Sequence, residues 1–233
     1  MTEFRRIVFP LYPEVTQLDF TGPFEVLRRL PGTECVLGSL EGGSLELGGG
    51  ITFAGLTPLS EIRECWLLCV PGGLGCVPML ENQQFLAELR RLARSAEFVT
   101  SVCTGSLLLA AAGLLAGKRA ASHWAWRDLL REFGVTPDVG RIVRDGNVIT
   151  GGGVTAGIDL AIAVLGEIAG ADFAQAVELV LEYAPEPPFQ CGRPELARTE
   201  VVASVLARLE PQRAARERAV RHAARSLAES QGS

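Results

Sequence analysis

The chain has 233 residues, of which 48% are hydrophobic and 21% charged, which is typical of a soluble α/β protein with one large core. Its net charge of −5 leaves no basic excess to neutralise phosphates, so nucleic acid is not an expected partner. The N-terminal segment has no apolar run long enough for a signal peptide or a membrane span. We therefore expect a cytoplasmic protein without a membrane partner.

Six cysteines occur in the chain, and without export signals they are expected to be reduced thiols. No CxxC pair is present, and two histidines are too few for the usual zinc ligand sets. The sequence therefore predicts no metal site. The cysteines are Cys35, Cys65, Cys69, Cys76, Cys103 and Cys191.

Short apolar segments alternate with helical patterns along the first half of the chain, as in RRIVFPLY, TGPFEVLRRL, ECVLGSL, WLLCVPGG, NQQFLAELRRLARSA and FVTSVC. This order predicts βαβ units around a mainly parallel sheet with helices on both faces. The segments WLLCV and FVTSV are apolar on successive residues, which is typical of strands buried on both sides.

In the second half, RIVRDGNVIT (141–150) carries a hairpin signal at Asp-Gly-Asn. Three glycines (151–153) then precede a predicted helix; they indicate either a close backbone approach or a flexible turn. A proline-rich segment follows Tyr183, where regular structure is not expected. A last helix is predicted from Glu195 to Leu227, and its final turns are expected to form a solvated face or an oligomer contact. We expect one α/β domain over 1–195 and a helical extension over 196–233, packed on that domain or on a dimer interface.

Cys103 lies where a buried strand ends and a helix begins. Such a turn projects a nucleophile from the carboxyl edge of the sheet, where open α/β folds place their sites. Nearby helix amides are expected to lower the pKa of the thiol and favour the thiolate. The alternative from the turn alone is a small core residue, which is the commoner fate of a free cysteine.

Two other segments carry candidate site residues. Asp19 lies in TQLDFTGP, where it is either a catalytic carboxyl or, like Thr21, a cap for a helix beginning near Thr21. Gly72 and Gly73 in VPGGLG end another buried strand and either bring backbone amides to a ligand or form a tight turn.

The segment from Val102 to Trp124, VCTGSLLLAAAGLLAGKRAASHW, resembles the nucleophile region of the ThiJ/PfpI superfamily, which is class I glutamine amidotransferase-like. VTQLDFTGPFEVL, VPGGLG, TGGGVTAGIDLAI and YAPEPPF extend the resemblance to about Glu195. It implies a flavodoxin-like sandwich with a nucleophile-elbow cysteine, no cofactor and a homodimer. Within the superfamily the set is similar to members that hydrate isocyanides to N-substituted formamides.

By position, the resemblance makes Cys103 the nucleophile and Asp19 the general acid and base beside the sulfur. It makes the amides of Gly72 and Gly73 donors that polarise the substrate. Thr104 stands where the protease-like members have histidine, which argues against peptidase chemistry; its hydroxyl either bonds near the thiolate or caps the helix. A small-molecule substrate needs an apolar pocket, and the expected walls are Phe20, Val154 and Trp124.

Three other functions remain as alternatives. His123 resembles a site histidine of glyoxalase and deglycase-like members, but those pair cysteine with glutamate where Asp19 stands here. The CTG segment and the His-Trp pair also resemble the sensor half of AraC-type regulators, although too few residues follow Glu195 for their DNA-binding domain. A redox-sensing cysteine is the third. His222, on the terminal helix, is expected to be solvated.

Overall fold

The computed structural model describes residues 5–231, and its centre is an eight-stranded sheet of order β3-β4-β2-β1-β5-β6-β10-β9. A separate two-stranded ribbon pairs β7 with β8. The strands are β1 (Arg5–Pro10), β2 (Thr33–Ser39), β3 (Gly43–Glu46), β4 (Thr52–Pro58), β5 (Leu67–Val70), β6 (Phe98–Val102), β7 (Arg119–Ala120), β8 (Thr136–Pro137), β9 (Ile142–Asp145) and β10 (Val148–Gly151).

The inner strands of the sheet are parallel: β4 with β2, β2 with β1, β1 with β5, β5 with β6 and β6 with β10. Only the edge strands β3 and β9 pair antiparallel. Every residue of β5 and all but the first of β6 are buried, as expected for strands covered by helices on both faces. The predicted mainly parallel α/β sheet is confirmed.

The helices fall into two groups by their contacts. One contains α1, α5 and α6, and the other contains α2, α3, α4 and α7; α5 and α4 both contact β6. The helices are α1 (Gln17–Leu27), α2 (Cys76–Met79), α3 (Gln83–Ala93), α4 (Gly105–Ala111), α5 (Ala156–Ala169), α6 (Ala171–Val180) and α7 (Thr199–Gln231), with 3-10 segments at Leu59–Glu61 and Arg127–Phe133.

Local sequence explains two of these elements well. The hairpin predicted in RIVRDGNVIT is confirmed as β9 and β10, with Gly146 at a φ of 65° in the turn that the Asp-Gly-Asn signal indicated. Helix α3 is capped by Asn82, whose side chain accepts from the amide of Phe85, and it buries Phe85, Leu86, Leu89 and Leu92 on one stripe.

The terminal helix differs from its prediction. It begins at Thr199 rather than Glu195 and continues through Pro211. It is not merely a solvated face, because Ala219, Val220 and Ala223 are buried and the helix contacts α2, α4 and the 3-10 segment Arg127–Phe133. The proline-rich stretch before it forms neither helix nor strand. Within residues 5–231, no helix is long and apolar enough to cross a membrane.

Candidate active site

Three neighbouring parallel strands, β1, β5 and β6, bring the candidate residues to one edge of the sheet. Asp19 lies in α1, which follows β1; Gly72 and Gly73 follow β5; and Cys103 follows β6. Parallel strands end at the same edge, so these three loops meet there although they are far apart in sequence.

Cys103 forms a sharp elbow between β6 and α4. Its φ is 57°, in the left-handed region that side chains with a Cβ rarely adopt, and its amide donates to the carbonyl of Gly151 at 3.2 Å. The next turn requires glycine, because a Cβ on Gly105 would lie 2.1 Å from the carbonyl oxygen of Val70. The strained residue at a strand end is the feature expected of a nucleophile elbow.

The thiol itself does not have the lowered pKa that the sequence suggested. Burial raises the pKa of Cys103 well above its usual value, and the charge of Asp19 raises it further. The backbone amide of Thr104 lowers that pKa, as a helix start should, but this effect is smaller than burial. Cys103 therefore needs a base to remove its proton.

Asp19 is suited to that task. It is fully buried, and burial raises the pKa of its carboxyl to about 7, while hydrogen bonds from the Gly72 amide and the Cys103 thiol lower it. Oδ2 accepts from the Gly72 amide at 2.9 Å, and within residues 5–231 the buried Oδ1 has no well-aligned partner. A carboxyl near pKa 7 can both take and return a proton at neutral pH.

The capping alternatives for this segment are wrong. Helix α1 begins at Gln17 with Thr16 as its N-cap, so Asp19 and Thr21 both lie inside it. The hydroxyl of Thr21 donates to the carbonyl of Gln17 at 3.0 Å, and the Asp19 carboxyl points to Gly72 across 53 residues of sequence. The carboxyl of Asp19 does not cap the helix and can therefore act as a proton donor and acceptor.

The amides of Gly72 and Gly73 hold two side chains of the site in place. Gly72 donates to Asp19, and Gly73 donates to Oγ1 of Thr104 at 3.0 Å. The hydroxyl of Thr104 in turn donates to the carbonyl of Gly73 at 3.3 Å, and it does not cap α4. The two amides thus position Asp19 and Thr104, and their expected role in polarising the substrate stays a prediction.

Gly72 is also required sterically. A Cβ there would lie 2.5 Å from the amide nitrogen of Thr104 and 3.0 Å from Oδ2 of Asp19. The first distance is shorter than real Cβ atoms show and the second is tighter than most of their contacts, so a side chain at Gly72 would force the loop away from the Asp19 carboxyl.

The elbow opens into a cavity of about 190 Å³. Val154, an expected wall, lines it, as do His123 and Trp126, but Phe20 does not: its ring packs edge-on against Phe53, with centroids 5.1 Å apart. The lining residues are Thr16, Gly73, Leu74, Cys103, Thr104, His123, Trp126, Val154, Leu209, Gln212 and Arg216. The expectation for Phe20 is therefore wrong, because its side chain is used in the core.

A second cavity of about 220 Å³ adjoins the first and shares His123 and Val154 with it. Trp124 lines this second space, where its ring stacks on His123. Burial lowers the pKa of His123, and so does the charge of Arg216, so the imidazole is neutral at pH 7. His123 is thus a neighbour of the elbow, without a shown role in proton transfer.

Sequence reasoning missed the contribution of α7. Leu209, Gln212 and Arg216 line the cavity at helical spacing, and the same stripe continues into the buried Val220. The spacing of these residues by three or four positions along α7 was a usable signal in the sequence. It was missed because charged residues surround this stripe. The prediction for His222 is confirmed, because its side chain is exposed.

Other cysteines are less suited to catalysis. Burial raises the pKa of Cys65, Cys69 and Cys76 as it does that of Cys103, but none of these three lines the cavity. Cys76 lies nearby, where its thiol donates to the carbonyl of Thr104 at 3.4 Å. Among residues 5–231, no group of three or more His, Cys, Asp or Glu side chains is placed to hold a metal.

The fold and this site define an α/β protein with a cysteine at a nucleophile elbow. The chain belongs to the DJ-1/PfpI family, whose sequence model matches residues 5–167. It is 47% identical over 206 residues to an isonitrile (isocyanide) hydratase of Pseudomonas putida. The aligned residues are 88% of this chain and 90% of that protein. A crystal structure of a ThiJ/PfpI family protein from Pseudomonas syringae matches with a TM-score of 0.88 and 32% identity, over 95% of this chain and 90% of that one.

A relative of another kind is the HTH-type transcriptional regulator GlxA of Rhizobium meliloti. It is 30% identical over 138 residues, which are 58% of this chain and 43% of the regulator. The predicted family and its flavodoxin-like fold are thus confirmed.

Proposed function

We propose that this protein is an isocyanide hydratase, which adds water to R–N≡C to give an N-substituted formamide. The observation that carries the proposal is the buried Asp19 carboxyl, of pKa about 7, beside the Cys103 thiol at the base of a cavity. The extended similarity to the P. putida isonitrile hydratase supports the same reaction.

In the first half of the reaction, ionised Asp19 takes the proton of the Cys103 thiol. The sulfur attacks the terminal carbon of the isocyanide, forming the S–C bond and leaving an electron pair on that carbon. Asp19 then returns the proton to the carbon, giving the covalent thioimidate R–N=CH–S–Cys103. The high pKa of the buried thiol makes this transfer necessary, because little free thiolate exists at pH 7.

In the second half, Asp19 is again ionised and removes a proton from water. The hydroxide adds to the thioimidate carbon, and Asp19 passes its proton to the nitrogen. Asp19 then takes the hydroxyl proton as the C=O bond forms and the S–C bond breaks, and it returns that proton to the departing sulfur. The products are R–NH–CHO and the starting thiol. Each proton leaves and returns through the one carboxyl that Gly72 holds in place.

Thr104 contributes to this reaction through its fixed position next to Cys103. Its hydroxyl is fixed to the backbone of Gly73, and its own amide lowers the pKa of the neighbouring thiol. Val154 and Trp126 provide apolar walls for the R group, whose burial supplies binding energy.

The carbonyl-enzyme and sensor alternatives have less support. The carboxyl beside the thiol is Asp19, as in the isocyanide-hydrating members that the sequence resembles. The regulator relative shares only part of its length with this chain, and residues 199–231 form one helix that lines the cavity. We also propose a homodimer in the cytoplasm, with 1–195 as one α/β domain and 196–233 as its helical extension.

The test is turnover of phenyl isocyanide by the wild-type protein and Cys103→Ala, followed by ultraviolet absorbance with the formamide confirmed by mass spectrometry. Cys69→Ala is the matched control: it also removes a buried thiol, but one outside the cavity, and should change stability more than rate. We expect no formamide above background from Cys103→Ala. Equal rates in wild type and Cys103→Ala, or no turnover by wild type although Cys103 is selectively alkylated, would overturn the proposal.

A further inference from the structure

The cavity contains a buried positive charge that the reaction above does not use. Arg216 of α7 is 2% exposed and lines the same space as Cys103. Its guanidinium lies over the ring of Trp126, 4.2 Å from the centroid. This cation–π contact is favourable to the charged guanidinium.

Arg216 has no anionic partner within residues 5–231. Its Nε is buried without a hydrogen bond, and the ionisable groups whose charge acts on it are Cys76, Cys103 and Tyr12. All three are neutral near pH 7, since burial raises the pKa of each. Buried arginines are ordinarily paired, because an uncompensated buried charge is costly.

Activation of the Cys103 thiol is an insufficient reason for this charge. Arg216 lowers the pKa of Cys103 least among the groups that act on it, behind burial, Asp19, Thr104 and Cys76. It has no resolved effect on Asp19, whose pKa depends on burial, Gly72 and Cys103. Cys103 and Arg216 thus both line the cavity, and the Asp19 carboxyl is buried beside the Cys103 thiol.

We propose that Arg216 binds a carboxylate on the substrate, so that the preferred isocyanides are small isocyano-carboxylates. This inference rests on the proposed function and narrows its substrate class. A guanidinium offers paired donors that match a carboxylate, and Gln212, one turn earlier on α7, adds an amide to the same wall. The volume of about 190 Å³ suits a compact molecule that spans from the Cys103 sulfur to the guanidinium.

The experiment compares isocyanoacetate with its methyl ester, which is close in shape but uncharged, in wild type and Arg216→Met. We expect wild type to prefer the carboxylate by about 10-fold or more in kcat/KM, mostly through KM. In Arg216→Met, the ratio of carboxylate to ester kcat/KM should fall at least about 10-fold. The matched control is Arg213→Met, whose guanidinium also lies near Trp126, at 5.6 Å, but outside the cavity lining; its ratio should equal that of wild type.

A second measurement does not depend on turnover. N-formylglycine, the product of isocyanoacetate hydration, should bind wild type more tightly than its methyl ester by calorimetry, and Arg216→Met should lose this difference. The melting temperature of Arg216→Met should be no lower than that of wild type, since the variant removes an unpaired buried charge. If Arg216 had a purely structural role, Arg216→Met would instead lower the melting temperature.

The inference is overturned if wild type treats acid and ester alike, or if Arg216→Met leaves their ratio unchanged. Failure of the proposed function is recognised separately: wild type then makes no formamide from phenyl isocyanide, the ester or the acid. In that case, charge-selective binding of N-formylglycine still tests the anion site.

Discussion

At the scale of single residues, Asp19 is placed where its charge is unfavourable. The carboxyl is fully buried, with one firm hydrogen bond from Gly72 to its Oδ2 atom. Burial disfavours the charged form, and this raises the pKa to about 7. The same burial that makes Asp19 useful as an acid and base therefore costs stability when it ionises.

The first prediction concerns the pH dependence of activity. Since the reaction begins with ionised Asp19, kcat/KM for phenyl isocyanide should rise with pH through about 7 in the wild-type protein. Asp19→Asn cannot take the thiol proton, so its rate should fall at least about 100-fold and lose that rise. Stopped assays from pH 5 to 9 measure both. A variant as active as wild type would remove Asp19 from the mechanism.

The second prediction concerns stability. The folded carboxyl has a pKa of about 7, above its usual 3.8, so the folded state binds the proton more tightly than the unfolded state. This contribution is complete below pH 4 and is lost as pH rises through 7, by about 4 kcal/mol at most, at about 1.4 kcal/mol per pKa unit. Asn does not ionise. The free energy of unfolding of Asp19→Asn relative to wild type should therefore increase from pH 4 to pH 8.

Urea unfolding at the two pH values measures this difference. Asp128→Asn, which alters an exposed carboxyl, is the control and should behave like wild type at both. A difference between Asp19→Asn and wild type that does not change with pH would contradict the prediction.

The third prediction concerns Gly72. An alanine Cβ would meet the amide of Thr104 at 2.5 Å and the Asp19 carboxyl at 3.0 Å, so Gly72→Ala should displace the base. We expect activity to fall about 100-fold and stability by about 1–3 kcal/mol. Gly192→Ala is the matched control, because no atom lies within 4 Å of its added Cβ. Wild-type kinetics in Gly72→Ala would show that this loop does not position Asp19.

At the scale of elements, α5 shows how one helix contains both replaceable and required glycines. A Cβ on Gly166 would lie 3.8 Å from that of Ala174, an ordinary contact, whereas one on Gly157 would lie 3.1 Å from Pro23 and 3.2 Å from Val102. Gly157 thus allows α5 to approach α1 and β6 closely, and Gly166 has no such role.

The fourth prediction follows from that contrast. Gly166→Ala should raise the free energy of unfolding by about 0.5–1 kcal/mol, because alanine is the better helix former and the space is free. Gly157→Ala should lower it by about 1–3 kcal/mol through overpacking. Chemical denaturation measures both. Equal changes in the two variants would contradict this account of the α5 packing.

Helix α7 adds a wall that the sheet and its flanking helices do not provide. It packs with Val220 and neighbouring alanines and carries Arg216 into the cavity. A helix from the C-terminal part of the chain thereby takes part in a site whose nucleophile lies more than 100 residues earlier. Changes in α7 are expected to alter substrate preference more than the chemistry of Cys103.

At the scale of the whole molecule, the proposed homodimer needs an apolar surface. Leu179 and Val180, at the end of α6, are 81% and 69% exposed, and the proline-rich segment follows them. We propose these two exposed aliphatic side chains as part of the dimer contact, because apolar patches that adjoin polar surface mark many interaction sites.

The fifth prediction is that sedimentation equilibrium finds a dimer for the wild-type protein and a shift toward monomer for Leu179→Lys, with a dissociation constant at least about 10-fold higher. The control is Ile51→Lys, a change at another exposed aliphatic residue away from α6. A wild-type monomer at all concentrations would contradict the dimer, and an unchanged Leu179→Lys would place the interface elsewhere.

The sequence alone determined the features that depend on neighbouring residues. The two-sided burial of β5 and β6, the hairpin at Asp-Gly-Asn and the elbow at Cys103 follow from short apolar runs and turn residues. Resemblance to the family added the roles of Cys103 and Asp19. These inferences needed no knowledge of which loops meet.

Only the tertiary structure decided the features that depend on distant contacts. It assigned the amides of Gly72 and Gly73 to Asp19 and Thr104, placed Phe20 in the core and brought Arg216 to the cavity. It also reversed the expected direction of the Cys103 pKa. Burial and unpaired charge are set by everything that packs around a group, and a local pattern does not contain that information.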